Sequence, residues 1–458
     1  MLLSTSIAAM RQPVSDGATR PRSWRIEQLK RLEDAIAERR DAVLTALASD
    51  LGKPAVEAYF ELVAIQREIQ LVRSRLSRWM APRAVGLPVF LQPGRAEVLR
   101  EPLGCVLVIG PWNYPFLLSL QPLVSALAAG NTVVLKPSEH APATSSLIAE
   151  LIQAAFPSTT VQVVLGDGPV AQALLRERFD HIFFTGGERV GRLVMEAAAQ
   201  HLTPVTLELG GKSPAVVLGD ADLDVSARRL IWGKCLNAGQ TCIAPDYLLV
   251  DEAVEAPLVE LLSQRITHCF GSDPLASSDL GSLVNQAQFE RLHALMEGAR
   301  SRGQVLYGGQ SDPSRRRIAP TLIRVDSFDD PLMQEELFGP LLPVLRVSGL
   351  SDAIERINQR PKPLALYLFT KQREAQEQIL QRTSSGGVCI NDVVMQVSVP
   401  ELPFGGVGNS GMGSYHGEAG FRTFSHERSV LRRPFRLDLP FRYPPYAGKL
   451  PLVRRLLG

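Results

Sequence analysis

Residues 104–135 read GCVLVIGPWNYPFLLSLQPLVSALAAGNTVVL and carry no charged side chain. A run of that length is long enough to suggest a membrane helix. Its punctuation argues otherwise, because Pro111, Asn113, Pro115, Gln121, Pro122, Gly130 and Asn131 interrupt it. The reading that fits is a buried strand over 105–109, a loop, a helix over 116–129 and a second strand over 132–135, enclosed in a large α/β core. The alternation continues outward. Helices are expected over 143–155, 170–178 and 189–201, and strands over 161–165, 181–184 and 205–209. Short, continuously apolar strands separated by helices imply a parallel sheet covered on both faces. That is a doubly wound, dinucleotide-type domain.

After Gly210-Gly211 the pattern restarts, with strands over 215–218 and 247–250, helices over 223–236 and 253–269, and further units through 364–369 and 388–391. A second α/β domain follows from it. Before the apolar stretch, residues 23–80 read as amphipathic helices. Trp24, Leu29, Leu32, Ile36, Val43 and Leu47 recur at three- and four-residue steps, and so do Tyr59, Leu62, Ile65, Ile69 and Val72. Both stripes are expected to pack onto a sheet. Residues 81–100 turn Pro-rich and extended, which suggests a hairpin or arm leaving the first domain.

The bulk numbers set limits. The chain has 458 residues, 45% hydrophobic and 21% charged, with a formal net charge of +2. That is an ordinary globular balance with enough chain for two or three cores. Basic residues are scattered among acidic ones, so no nucleic-acid surface is expected. The cysteines (Cys105, Cys235, Cys242, Cys269 and Cys389) are few, odd in number and without a CxxC pair, which fits a reducing, cytoplasmic setting. The N-terminus has no positive residue ahead of its short apolar run and does not read as a signal peptide. The histidines are dispersed, and no metal site is expected.

Chemistry concentrates around Cys242, in KCLNAGQTCIAPDY over 234–247. Small and polar neighbours, with Pro245 breaking the preceding helical pattern, place this thiol on a turn at a helix end. A structural cysteine has apolar neighbours at helix or strand spacing and is inert. A thiol nucleophile needs a lowered pKa, donors for the oxyanion it creates and a route off the enzyme. Glu208 lies among apolar strand residues, where a carboxylate is costly unless it is paired or has work to do. Two readings stand for it, a general base with a raised pKa or an ion pair with Lys212. Asn113 follows a buried strand, where an amide donates to an oxyanion or simply forms a turn. Lys136 and Glu139 follow another strand. They hold ribose hydroxyls, or the segment is a helix start capped by Ser138. The Gly186-Gly187 step lets backbone approach a pyrophosphate at a helix N-terminus, or is a tight turn. Two fingerprint-like matches, from Gly166 and from Gly406, lack the right context and are set aside.

The ordered set Pro-Trp-Asn-Tyr-Pro, Leu-Lys-Pro-Ser-Glu, Phe-Thr-Gly-Gly, Leu-Glu-Leu-Gly-Gly-Lys-Ser-Pro, Gly-Gln-Thr-Cys and Glu-Leu-Phe-Gly-Pro resembles the aldehyde dehydrogenase superfamily over nearly the whole chain. Ala-Pro-Asp-Tyr after Cys242, and the run from Pro403 to Gly417, are similar to its class 3 branch of fatty and aromatic aldehyde enzymes. The resemblance implies an α/β fold with a doubly wound parallel-sheet cofactor domain, a second α/β catalytic domain and a small β oligomerisation arm. The expected boundaries are 1–80 and 101–210 for the NAD(P)-binding domain, 211–392 for the catalytic domain, 81–100 and 393–430 for the arm, and 431–458 for a tail.

It also implies roles. Cys242 is the nucleophile, Asn113 an oxyanion donor and Glu208 the base that activates water for thioester hydrolysis. Trp112, Lys136, Glu139, Thr185, Gly186, Gly187, Val190, Gly191, Leu209, Glu336 and Phe338 face an NAD or NADP cofactor, and Tyr114 lines the substrate pocket. Most relatives carry Ser where this chain has Gly187, which removes a hydroxyl from the pyrophosphate site. Glu139 disfavours a 2′-phosphate by like charge, although the class 3 branch accepts both cofactors. Glu208 argues against a CoA-acylating relative, and Cys242, Glu208 and Asn113 together argue against an inactive one. The implied partners are a small-molecule aldehyde and a second copy in a homodimer. The basic, apolar tail is expected to pack on its own or the partner subunit. Contact with a membrane surface is the less favoured alternative.

Overall fold

The protein is described here as a computed structural model covering residues 2–457. Two large sheets organise it. The first has six strands in the order Gly411–Met412, Val205–Glu208, His181–Thr185, Cys105–Ile109, Thr132–Lys136 and Val161–Val163. Five of them run parallel, and the two-residue edge strand Gly411–Met412 is antiparallel. The second has seven strands in the order Val305–Tyr307, Thr321–Arg324, Leu341–Val347, Tyr247–Asp251, Pro214–Val217, Ala365–Phe369 and Gly387–Ile390. It is parallel except for the first. Both are the doubly wound units that the strand and helix alternation predicts.

The uncharged stretch lies at the centre of the first unit. All five residues of Cys105–Ile109 and of Thr132–Lys136 are buried. The intervening helix Leu117–Ala129 is buried on nearly every side, which explains its lack of charged residues. It ends at Gly130, with φ of 91°, where only glycine is unstrained. Asn131 then ties the turn, accepting from the Gly104 N–H at 3.0 Å and donating to the Phe424 carbonyl at 2.8 Å. The Ala55–Met80 helix lays Leu62, Ile65, Ile69, Val72 and Leu76 against this core. Tyr59 departs from the expectation: it is exposed and faces a cleft. The earlier amphipathic stretch breaks at Arg39 into two helices, Arg22–Glu38 and Arg40–Leu51.

A third, antiparallel sheet of Arg83–Val85, Arg95–Pro102 and Ser425–Arg432 projects from the two units. The segment 393–430, expected to belong wholly to an arm, divides its contribution. Gly411–Met412 joins the first sheet, and the helix Gly417–Thr423 packs on the helices at 55–80 and 117–129. Beyond residue 433 the tail stands away from the body. Phe435, Leu437, Tyr446 and Leu450 are exposed, while Leu439, Phe441 and Val453 are half-buried. Leu456 and Leu457, part of its apolar set, lie outside the residues whose side chains are described. Among the described residues no helix is long and apolar enough to cross a membrane.

Ser138 does not cap the following helix. Its hydroxyl accepts from the His140 N–H, and the Pro142–Ala155 helix has no local side-chain cap. Asp50 does that work from the N-terminal helices. It accepts from the Ala143 and Thr144 N–H groups at 3.0 and 2.8 Å and from the Thr144 hydroxyl at 2.7 Å. Asp50→Ala should therefore lower the thermal unfolding midpoint, reflecting a loss of about 1–3 kcal/mol. Asp50→Asn should recover part of it, and calorimetry of both variants checks the order.

Candidate active site

The carboxyl ends of the two sheets face each other across a cleft of about 1330 Å³. The chain crosses from the first sheet to the second between Glu208, the last residue of its strand, and Pro214, the first of the next, and returns between Ile390 and Gly411. Ligands of open α/β sheets bind beyond strand carboxyl ends, so this is where a site is expected.

Cys242 sits half-buried in the cleft, on the turn that follows the helix Leu223–Cys235. The loop leading to it is strained. Asn237, Ala238 and Gly239 have φ of 53°, 54° and 80° in succession. Two non-glycine residues in that region cost of order 1–3 kcal/mol each. Hydrogen bonds from distant elements hold them there. Glu57 accepts from the Asn237 N–H at 2.8 Å. The Asn237 side chain donates to the Asn113 carbonyl at 2.8 Å, and the Asn113 side chain donates to the Gln240 carbonyl at 3.0 Å. Gln240 is buried and saturated, donating to Asn237 and Ser282 carbonyls and accepting from the Val284 N–H. Gly239 is required, since a Cβ there would lie 2.3 Å from the Gly339 carbonyl oxygen.

The loop carrying Asn113 is held from below by a buried ion pair that sequence reading missed. Lys53 pairs with Glu61, both side chains fully buried, and Lys53 also donates to the Asn113 carbonyl at 3.1 Å. Glu61 accepts from the Leu117 N–H at 2.9 Å. The Lys53 ammonium lies 4.1 Å from the centroid of the Tyr114 ring, whose hydroxyl meets the Thr241 hydroxyl at 2.7 Å. A sequence signal existed. Glu61 and Glu68 fall within the apolar stripe of their helix, where a carboxylate requires a partner.

Glu208 lines the same cleft, 2% exposed, and neither of its carboxylate oxygens has a hydrogen-bond partner. Burial pushes its pKa well above the ordinary carboxylate value. The alternative partner is engaged elsewhere, because Lys212 pairs with Asp246 and donates to the Leu332 and Glu335 carbonyls. Burial also pushes the Cys242 thiol up, and the Glu336 and Glu208 carboxylates add to it. The Cys242 and Ile243 N–H groups oppose the rise.

A dinucleotide fits the remaining wall on three observations. The helix Glu188–Ala199 starts at Gly187 with no side-chain cap, leaving first-turn N–H groups for an anion. The Thr185 hydroxyl beside it is buried without a partner. Gly210 keeps the backbone open where a Cβ would lie 2.0 Å from a Glu336 oxygen. Gly186, Gly187 and Leu209 line this end of the cleft. Gly191 packs on Leu209, where a Cβ would come within 2.7 Å, and Val190 stands on the exposed first turn. Trp112 and Phe338 meet edge to face at 5.2 Å, with Glu336 beside them and its pKa raised by burial and by Asp246 to about 8. Lys136 and Glu139 stand apart from the cleft lining and bond to each other at 2.7 Å. Partial burial works to raise Glu139, but the Lys136 hydrogen bond and charge hold it below the ordinary carboxylate value. Among the described residues no group of three His, Cys, Asp or Glu is placed to hold a metal.

Comparison with known proteins agrees with this geometry. Residues 4–430 match the aldehyde dehydrogenase family. The chain is 46% identical to the dimeric NADP-preferring aldehyde dehydrogenase of Canis lupus familiaris, over 98% of this chain and 99% of the relative. It is 43% identical to the 4,4'-diaponeurosporen-aldehyde dehydrogenase of Staphylococcus aureus, over 95% of each. The substrate-bound structure of Staphylococcus aureus AldH superposes with a TM-score of 0.96 at 41% identity, covering 100% of this chain and 99% of that one. The chain thus belongs to the aldehyde dehydrogenase family, whose members oxidise an aldehyde to the carboxylic acid with NAD(P).

Proposed function

We propose that Cys242, Asn113 and Glu208 carry this oxidation, and that the aldehyde has a medium or long aliphatic chain or an aromatic ring. The observation that carries the reading is Glu208, a buried carboxylate with two unpartnered oxygens in the cleft that holds the thiol. Cys242 releases its proton to solvent, and the thiolate sulfur attacks the carbonyl carbon. The developing oxyanion is held by the Cys242 N–H and by the second N–H of the Asn113 amide, whose first is spent on Gln240. A bound nicotinamide would supply the hydride acceptor. A thioester on Cys242 remains. Glu208 takes a proton from the water that attacks it, and the acid departs with the thiol restored.

In this reading Trp112, Glu336 and Phe338 hold the nicotinamide end. Thr185, Gly186, Gly187, Val190, Gly191 and Leu209 form the pyrophosphate end, and Lys136 with Glu139 serves the adenosine ribose. NAD and NADP are both accepted, with the Glu139 charge opposing a 2′-phosphate and Lys136 offsetting it. The six-stranded unit is the cofactor domain and the seven-stranded unit the catalytic one. Tyr114 stands in the substrate arm with Phe60, Val63, Leu118 and Val397, an apolar lining that suits the proposed aldehydes. The chain forms a homodimer through its projecting sheet, whose edge strand Ser425–Arg432 is mostly exposed. The dog and rat relatives are named dimeric.

Cys242→Ala should abolish aldehyde oxidation. Glu208→Gln should still form the acyl-enzyme in a burst but hydrolyse it at least 100-fold more slowly, seen by mass spectrometry of the intact protein. In the wild type, deacylation should rise with pH as Glu208 loses its proton and fall on acidification. In Glu208→Gln that limb should be absent, and a rapid-quench pH series checks both. An added Cβ at Gly187 meets nothing within 4 Å, so Gly187→Ser should fit. It should lower the cofactor KM roughly 3- to 10-fold by returning a hydroxyl to the pyrophosphate, and an unchanged KM would place the phosphates elsewhere. Light scattering on the purified chain should give twice the 50.1 kDa of one subunit.

A further inference from the structure

Phe60, Val63, Leu118 and Val397 give the cleft an apolar lining, yet it also holds polar groups that the oxidation does not use. His416 lines it, 5% exposed, with its ring stacked on Phe404 at 5.3 Å and edge-on to Tyr415 at 4.5 Å. Its Nδ1 is buried without a partner. An unpartnered acceptor is tolerated better than an unpartnered N–H, so the proton resides on Nε2 and makes it a donor. Gln121, 4% exposed, lines the same wall from the helix Leu117–Ala129. Behind it stands Glu68, fully buried, accepting from the Gly417 N–H at 2.8 Å and facing the Gln121 amide, which leaves one Gln121 N–H for a ligand.

Arg67 completes the set. It is an exposed cleft residue on the Ala55–Met80 helix, and among the described residues it makes no hydrogen bond or ion pair. The same helix bonds the Cys242 loop through Glu57. At about 1.5 Å per residue, Arg67 lies roughly 15 Å further along the axis. Phe60, Val63 and Ala64 fill the interval on the cleft side. A cation and two neutral donors at the far end of an apolar passage match an anion on an apolar stem. The opposing charges are Glu68, set behind Gln121, and Glu401 on the facing segment, which makes no ion pair with Arg67.

We propose that Arg67, Gln121 and His416 form a second recognition point for a carboxylate carried by the aldehyde at the end remote from its carbonyl. The preferred substrate class is then a medium-chain ω-oxo carboxylic acid, oxidised to the dicarboxylate. This rests on the reading of Cys242 as the nucleophile and of this arm as the substrate passage.

The test uses the full-length enzyme and three probes of equal chain length: an alkanal, the ω-oxo acid and its methyl ester. The expected kcat/KM of the acid exceeds those of the alkanal and ester roughly tenfold, mainly through KM. In Arg67→Glu the acid to alkanal ratio should drop below one. Arg67→Lys should retain part of the preference, and added salt should erode it in the wild type. Equal kcat/KM for acid and ester, or a ratio that Arg67→Glu leaves in place, overturns the proposal while alkanal oxidation keeps the Cys242 reading intact. Failure of the wild type on all three overturns both.

Discussion

The Gln240 carbonyl oxygen receives the side-chain amides of two asparagines, Asn113 from the six-stranded unit and Asn237 from the thiol loop itself. Much of the site depends on this junction. It joins the loop after one buried strand to the loop before another, beside the thiol in the cleft. The left-handed run at 237–239 would relax without it. Each bond is worth about 1 kcal/mol net, and the strain is of the same order, so several are needed together. The Glu57 carboxylate and the Lys53–Glu61 pair supply the rest from the N-terminal helices. A helical segment that reads as mere packing thereby positions Asn113.

The same burial that makes Glu208 useful costs stability. Its folded pKa is raised, so its contribution to stability is fully present in acid, below the unfolded value. That contribution is lost as pH rises through the folded value. Above that value the protein holds an unpaired carboxylate in its interior. Pairing it with Lys212 would remove the cost and the basicity together. Asp246 prevents that by holding Lys212 on the other side of the Gly210-Gly211 turn. Cys242 is in a related position. Burial and two carboxylates disfavour its thiolate, and within the chain the opposing help comes from backbone N–H groups.

The alternation of short apolar strands with helices, and the order of the two units, were legible from residues 104–250. An uninterrupted apolar strand can be covered only on both faces, and a parallel sheet with helical crossovers does this. The placement of Glu208 among apolar strand residues, and of Cys242 and Asn113 on loops at element ends, was also legible, because each rests on its near neighbours in sequence. Tyr59 was misread because periodicity marks a helical stripe without saying whether a sheet or a cleft lies opposite. Of the two readings of the 136–139 segment, the Ser138 cap fails, because proximity in sequence suggests it while Asp50 reaches the same N–H groups from 93 and 94 residues away.

What the sequence determined by itself was therefore the set of elements and the chemical types available at strand ends. Both follow from backbone geometry and hydrophobic patterning within a few residues. What only the tertiary structure decided was pairing: that Lys212 belongs to Asp246 and leaves Glu208 free, that Lys53 and Glu61 support Asn113, and that Arg67, Gln121 and His416 share one wall. Hydrogen bonds and ion pairs act over about 3 Å, and the partners are brought within that range only when the two sheets close on each other.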